Sequence, residues 1–271
     1  VGHDNGSAVT IGAYDGVHIG HRQVIGKVRR RAASGGLRSV VVTFDKNPAA
    51  VVNPASAPLR LTDIELKLEL LAGTGVDQIL VIEFDAERAR EEAEDFVAEV
   101  LVAELSARVV VVGDDFHFGH QRRGNVALLQ ELGEQAGFSV EPVHLVSDDR
   151  ANEVVSSTRI RGLIARGELS EAAVLLGRPH EVRALVVSEG KDPGDPSRLS
   201  VEVPGEILLP PPGDYPGFAV SDTGESVAAQ LALPAREGGG PRRIEVTPIA
   251  VSPARPALDA GTGEIVRVRF G

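Results

Sequence analysis

Five short apolar runs, largely of β-branched residues, punctuate the first half of the chain. They are Ala8–Gly12, Ser39–Phe44, Gln78–Ile82, Arg108–Gly113 and Phe138–Val146. Between them lie segments with helical patterning: Gly20–Ala33, a helix capped by Thr62 or Asp63 and running to about Ala72, Ala89–Leu105, and Asn125–Ala136 closed by Gly137. Two shorter helices follow at about 158–166 and 170–176. Asp45–Leu61, with Pro48, Pro54 and Pro58, reads as a loop. A strand–helix alternation of this kind buries all its apolar faces in one arrangement, a doubly wound parallel sheet with helices on both sides.

The pattern changes after Leu176. Gly177, Arg178 and Pro179 break the last helix. From there to Gly271 the chain alternates strands and turns: Val182–Val187, Leu199–Val203, Phe218–Val220, Val227–Leu233, Ile244–Val251 and Ile265–Phe270. Pro210–Pro212 and Gly238–Gly240 mark turns or exposed loops. This half is expected to form a small all-β, barrel-like domain. The domain boundary is therefore placed between 8–180 and 181–271.

Bulk properties exclude several classes. The formal net charge of −11 argues against a general nucleic-acid-binding face. With no cysteine, disulfides and thiolate metal sites are ruled out. No run approaches the ~20 apolar residues of a membrane span, and no signal peptide is visible. A cytoplasmic protein with no membrane partner is expected. Val1–Ser7 reads as a trimmed end and is left out of the fold reasoning.

The richest stretch for chemistry is Val9–His21, V-T-I-G-A-Y-D-G-V-H-I-G-H. It reads as a strand, a glycine-rich turn and a helix start. Gly12, Gly16 and Gly20 allow close backbone approach, and amides at a helix N-terminus favour an anion. Ala13 and Asp15 lie in the same turn. His18 and His21 would aim two imidazole donors at a phosphate chain.

Three further segments fall after strands of the same sheet, where ligands of such folds bind. Ser156, Ser157 and Thr158 open a helix with Arg161 one turn on; they can cap the helix or surround a phosphate tail. In Gly113–Gly119, one of Phe116 and Phe118 is expected to fill the core and the other to give a planar ligand a stacking face, with Asp115 holding a polar group. Thr43–Pro48 is either a proline turn or, through Asn47 and Pro48, an acceptor site. The loops after strands one, two, four and five are expected to meet in one pocket. Histidines and an arginine, without the lysine of a phosphate-binding G-x-x-x-x-G-K-[ST] loop, suit nucleotidyl transfer rather than a kinase of that type.

Together I-G-A-Y-D-G-V-H-I-G-H, V-V-V-T-F-D-K-N-P, L-R-L-T-D-I-E-L-K-L-E-L-L, V-V-G-D-D-F-H-F-G, V-S-S-T-R-I-R and L-L-G-R-P-H resemble the bacterial bifunctional riboflavin kinase/FMN adenylyltransferase (FAD synthetase) family over about residues 8–183. The resemblance implies a Rossmann-like sheet of nucleotidyltransferase type followed by a β-barrel. It also implies transfer of AMP from Mg-ATP to FMN, giving FAD and pyrophosphate. His18 and His21 would then bind and polarise the ATP phosphates. Ser157, Thr158 and Arg161 would hold the triphosphate and the leaving pyrophosphate. Asp115 would sit near the reacting groups, and Phe118 with Pro48 would line the flavin side. Mg²⁺ would be held mainly by phosphates and water.

The sequence departs from that family in three places. Lys46-Asn47-Pro48 stands where it usually has P-H-P, and Val154 where some members carry Arg. The kinase motif G-F-P-T-A-N is absent, the corresponding region reading Arg198–Val203, although Glu245 can match the family's general base. The barrel is therefore expected to lack riboflavin kinase activity. Two other readings remain: a nucleotidyltransferase with another phosphorylated acceptor or with CTP, and a nucleotide- or flavin-binding protein without turnover.

Overall fold

A computed structural model describes residues 5–144, 147–148, 153–189, 198–235, 240–249 and 260–271. The chain forms two compact units: Val1–Pro58 with Lys67–Val155, and Leu59–Leu66 with Ser156–Gly271.

The first unit is built on five parallel strands: β1 (Ser7–Ile11), β2 (Arg38–Phe44), β3 (Gln78–Ile82), β4 (Ala107–Gly113) and β5 (Ser139–Val143), in the order β3-β2-β1-β4-β5. The register pairs Val9 with Val40 and with Val110. These central valines are fully buried. A strand covered on both faces needs apolar residues in both phases of the pleat, and burying each such side chain contributes roughly 1.5–3 kcal/mol.

The two faces hold different partners. Val9, Ile11, Val40, Val42, Val110 and Val112 pack with Phe96, Val100, Leu101 and Leu129. Ala8 and Val111 pack with Val24, Val28 and Ala32 of α1 (Ile19–Gly35), while Val41 packs with Ile25, Tyr14 and Leu71. This is the doubly wound α/β arrangement expected from the strand–helix alternation.

Local detail departs from expectation in three places. The loop Asp45–Leu61 contains a short helix, α2 (Pro48–Val52), and a 3-10 turn at Pro54–Ser56. Asn47 caps α2 and Pro48 occupies its first turn, where the missing N–H costs nothing. α3 (Ile64–Ala72) starts from Asp63, whose carboxylate accepts the Leu66 N–H at 2.7 Å. The helix expected from Ala89 begins at Ala93 instead. Asp85 accepts the Glu87 and Arg88 N–H groups, and Arg88 pairs with Glu91 and Glu99, which closes a separate 3-10 turn first. Then α4 (Ala93–Phe96) widens into π-helical turns over Val97–Glu104. α5 (Val126–Ala136) is capped by Asn125 and closed by left-handed Gly137. The fifth strand ends at Val143, and Leu145 and Val146 lie outside the described residues.

In the second unit α6 (Ser157–Ala165) and α7 (Leu169–Leu176) precede six antiparallel strands: β6 (Glu181–Glu189), β7 (Leu199–Val203), β8 (Gly213–Val220), β9 (Ser226–Leu233), β10 (Arg242–Pro248) and β11 (Ile265–Phe270). They close as a barrel in the order β6-β7-β10-β9-β8-β11. Val182, Ala184, Val201, Leu231, Val246 and Val268 alternate into its interior, all nearly inaccessible. β10 ends at Pro248, and the last two residues of the strand expected to Val251 lie outside the described residues, as do Gly238 and Gly239. No described helix is long and apolar enough to cross a membrane.

Candidate functional site

The turn between β1 and α1 is wound tightly. Tyr14 and Val17 have positive φ angles of 51° and 40°, with Gly16 at 80° between them. The Val17 N–H donates to the Tyr14 carbonyl at 3.1 Å. Left-handed backbone is unfavourable for a tyrosine and more so for a β-branched valine. Both side chains are buried against Ile25, Val41 and Leu71, and that packing offsets the strain. The Tyr14 hydroxyl also shares a 2.7 Å hydrogen bond with Thr10 inside β1, while burial raises its pKa.

His18 is the N-cap of α1. Its Nδ1 accepts the His21 backbone N–H at 3.3 Å, the service that Ser or Asp usually gives at this position. The two imidazoles stack with centroids 3.5 Å apart and planes 19° from parallel, and Tyr14 meets His21 edge-on at 5.0 Å. Burial, and then the neighbouring His18, hold the His21 pKa well below the ordinary 6.5. His21 Nδ1 is shut off from solvent with no hydrogen-bond partner. A Cβ on Gly20 would lie 3.2 Å from His18 Nδ1 and 3.5 Å from the Val155 carbonyl oxygen, so a larger residue there would press on the ring. Gly12 joins β1 to β2 through its N–H and the Val42 carbonyl at 3.1 Å, and Asp15 is buried in the turn.

The neighbouring loop ends are tied to this turn by a lysine that carries no role in the sequence reading. Lys67, only 8% exposed, donates to the Phe44 carbonyl at 2.6 Å and the Ala13 carbonyl at 3.4 Å. The Thr43 hydroxyl reaches the same Ala13 oxygen at 3.3 Å. One ammonium thus fixes the end of β2 against the turn that carries the histidines. The signal was a lone cation beside the apolar stripe of α3, between Leu66 and Leu71. After β2, Asp45 accepts the Phe84 N–H at 2.8 Å, and Asn47 spends its side-chain oxygen on the Ala49 N–H at 3.0 Å.

After β4, Phe118 is 9% exposed and belongs to the main core of the sheet, tilted against Phe96. Phe116 is half-buried and stacks on Phe118 with centroids 5.4 Å apart. Asp115 is exposed, and its carbonyl is in contact with the His117 ring at 2.8 Å. In the second unit Ser156 caps α6, its hydroxyl accepting the Arg159 N–H at 3.2 Å. Ser157 and Thr158 form the first turn. Arg161 donates Nε to the Leu59 carbonyl at 2.7 Å.

A helix N-terminus with two imidazoles beside it is chemically an anion site of the kind nucleotide phosphates require. The family model for FAD synthetase matches residues 2–159. The bifunctional riboflavin kinase/FMN adenylyltransferase of Pseudomonas fluorescens is 37% identical over 182 residues, covering 67% of this chain and 58% of that protein. The protein of the same description from Buchnera aphidicola subsp. Schizaphis graminum is 33% identical over 189 residues, covering 69% and 60%. The chain thus spans about 60% of the length of these relatives. A solved structure described as a macrolide-efflux protein from Streptococcus pneumoniae superposes with a TM-score of 0.81 at 24% identity, over 98% of this chain and 85% of that one, and shows a shared fold. The chain belongs to the FAD synthetase family.

Proposed function

We propose that this chain transfers the adenylyl group of Mg-ATP to FMN, and that its barrel does not phosphorylate riboflavin. An FMN phosphate oxygen attacks the α-phosphorus, the bond from that phosphorus to the β-bridging oxygen breaks, and pyrophosphate leaves with the electron pair. No covalent enzyme intermediate is needed. The protein's task is to orient the phosphates and to meet the charge that builds on them.

The observation that carries the reading is the α1 N-terminus, where His18 and His21 stack beside a strained, buried turn. Strain of this kind persists where surrounding structure holds it, and it clusters at ligand sites. His18 and His21 would donate to the phosphate chain. Gly12, Ala13, Asp15, Gly16 and Gly20 would give the nucleotide its backbone cradle. Ser156, Ser157, Thr158 and Arg161 are assigned to the nucleotide phosphates. Asp115 is assigned to the reacting groups. Asn47, Pro48, Phe116 and Phe118 are assigned to the flavin side, Phe118 from within the core. Mg²⁺ would enter with ATP, held mainly by phosphate oxygens and water.

In the barrel, Glu245 accepts the Ser200 hydroxyl at 2.9 Å and pairs with Arg198 at 3.4 Å. A carboxylate occupied in this way, without the family's Thr and Asn, is a poor general base for riboflavin. The deciding experiment is a pyrophosphate-release assay with FMN and riboflavin as separate acceptors and ATP and CTP as separate donors. FAD and pyrophosphate from FMN plus ATP are expected. Turnover only with another acceptor, which the use of Asn47 as a helix cap favours, or only with CTP, would replace the reading. Nucleotide binding without product would leave a binding protein.

A further inference from the structure

We propose that copies of this chain associate head to tail, the basic outer surface of α1 on one copy docking on the acidic outer surface of Ala93–Glu104 on the next.

The charge of the first unit is sorted by face. α1 carries Arg22, Lys27, Arg29, Arg30 and Arg31 and no acid. Its buried residues Val24, Val28 and Ala32 hold it on one face of the sheet. Residues 91–105 carry Glu91, Glu92, Glu94, Asp95, Glu99 and Glu104 and no Lys or Arg. Phe96, Val97, Val100 and Leu101 hold this segment on the opposite face. Surfaces ordinarily intersperse the two signs, and here a helix with bases and no acid stands in a chain of net charge −11.

Pairing within the unit leaves much of both surfaces unused. Lys27 and Arg31 share Glu141. Arg22, Arg29 and Arg30 are exposed and pair with no carboxylate among the described residues. On the other face Arg88 takes Glu91 and Glu99, and His120 lies against Glu92. Glu94, Asp95 and Glu104 are exposed and form no ion pair among the described residues.

The acidic surface suits a helix as its incoming group. The i→i+5 turns of Val97–Glu104 bring Glu99 and Glu104 near one side of the segment, where an α-helix would splay them. Ala98, Val102 and Ala103 are exposed beside these carboxylates, Val102 by 39%. On α1, Arg22, Gly26, Arg29, Arg30 and Ala33 form one stripe at helical spacing. Its small residues let the arginine stems lie along the apolar patch while their guanidinium forks reach the carboxylates. An apolar centre with a charged rim is the usual build of an interface. Net repulsion between copies is screened beyond about 8 Å at physiological salt, whereas charges facing each other at contact are not. Because the two surfaces differ and lie on opposite faces, the contact is heterologous, and it repeats into a ring or a chain of copies instead of closing as a two-fold dimer.

The test is sedimentation velocity of the full chain over a concentration series. At about 0.15 M salt wild type is expected to grow in mass past a dimer, and at about 1 M, where the screening length falls to about 3 Å, to return towards monomer. Arg29→Glu with Arg30→Glu, and separately Glu94→Arg with Glu104→Arg, should each weaken association about tenfold or more, since like charges then face each other. Mixing the two variants should restore it, because the acidic α1 of the first meets the basic Ala93–Glu104 surface of the second. A misfolded variant could not be rescued in this way. A wild type that is monomeric throughout, association unaffected by either pair of substitutions, or a mixture no larger than its components overturns the proposal. So does a monomeric wild type whose α1 arginines instead bind phosphatidylserine vesicles.

Discussion

The Lys67 ammonium lies 2.6 Å from the Phe44 carbonyl oxygen and bridges the end of β2 to the turn that carries the histidines. Burying a cation is costly, and here carbonyl oxygens at the carboxyl edge of the sheet help to compensate it. Lys67→Met keeps the stem's length and removes the charge. It should destabilise the chain by about 1.5–3 kcal/mol, the scale of lost hydrogen bonds to a charged donor. Urea unfolding measures this, with the midpoint falling and the slope unchanged. A midpoint equal to wild type would show that the two carbonyls do not depend on the lysine.

His21 gives a stability–pH signature with a definite sign. Its folded pKa lies well below the ordinary 6.5, so the unfolded chain binds more protons in between. The group's contribution is fully present above about 6.5 and is lost as pH falls towards the folded value. Urea midpoints measured from about pH 8 to about pH 5 should therefore fall more steeply for wild type than for His21→Gln. Parallel curves would mean that the His21 ring is not held uncharged by its surroundings.

The strands and the switch from α/β to β were legible because the apolar pattern is the same thing as the burial pattern. Val40–Val42 and Val110–Val112 face helices on both sides, and alternate residues from Val182 to Val186 face the barrel interior. Polar interactions reaching across sequence were not legible. Lys67 acts on residues 23 and 54 positions away, and no local pattern announces it. The helix under Pro48 was hidden because a proline that ends one helix can begin another. In the candidate site, the aromatic pair after β4 divided as physical chemistry requires: Phe118, beside Phe96, was taken into the core, and Phe116 remained half-buried over it.

The cap of α6 tests the segment assigned to the phosphates at Ser156, one of its assigned donors. Ser156 spends its hydroxyl on the Arg159 N–H. Ser156→Ala should cost about 1 kcal/mol, and Ser156→Asp should restore it, because a carboxylate caps well at a helix N-terminus. Thermal unfolding measures both. On the proposed function the aspartate variant should nevertheless bind ATP more weakly than the alanine variant, since it adds negative charge near a segment assigned to phosphates. Equal ATP affinity for the two variants would remove Ser156–Thr158 from the nucleotide site.

In the barrel, Arg198 and Ser200 both engage the Glu245 carboxylate. The ion pair is partly exposed, so Arg198→Ala should change stability by no more than about 1 kcal/mol. It frees one carboxylate oxygen yet restores no metal-binding Thr or Asn. Neither wild type nor Arg198→Ala should make FMN from riboflavin and Mg-ATP, followed by chromatography of the flavins. FMN from wild type would show that the barrel is a kinase by a different residue set. FMN from the variant alone would show that the ion pair, rather than the missing motif, is what silences it.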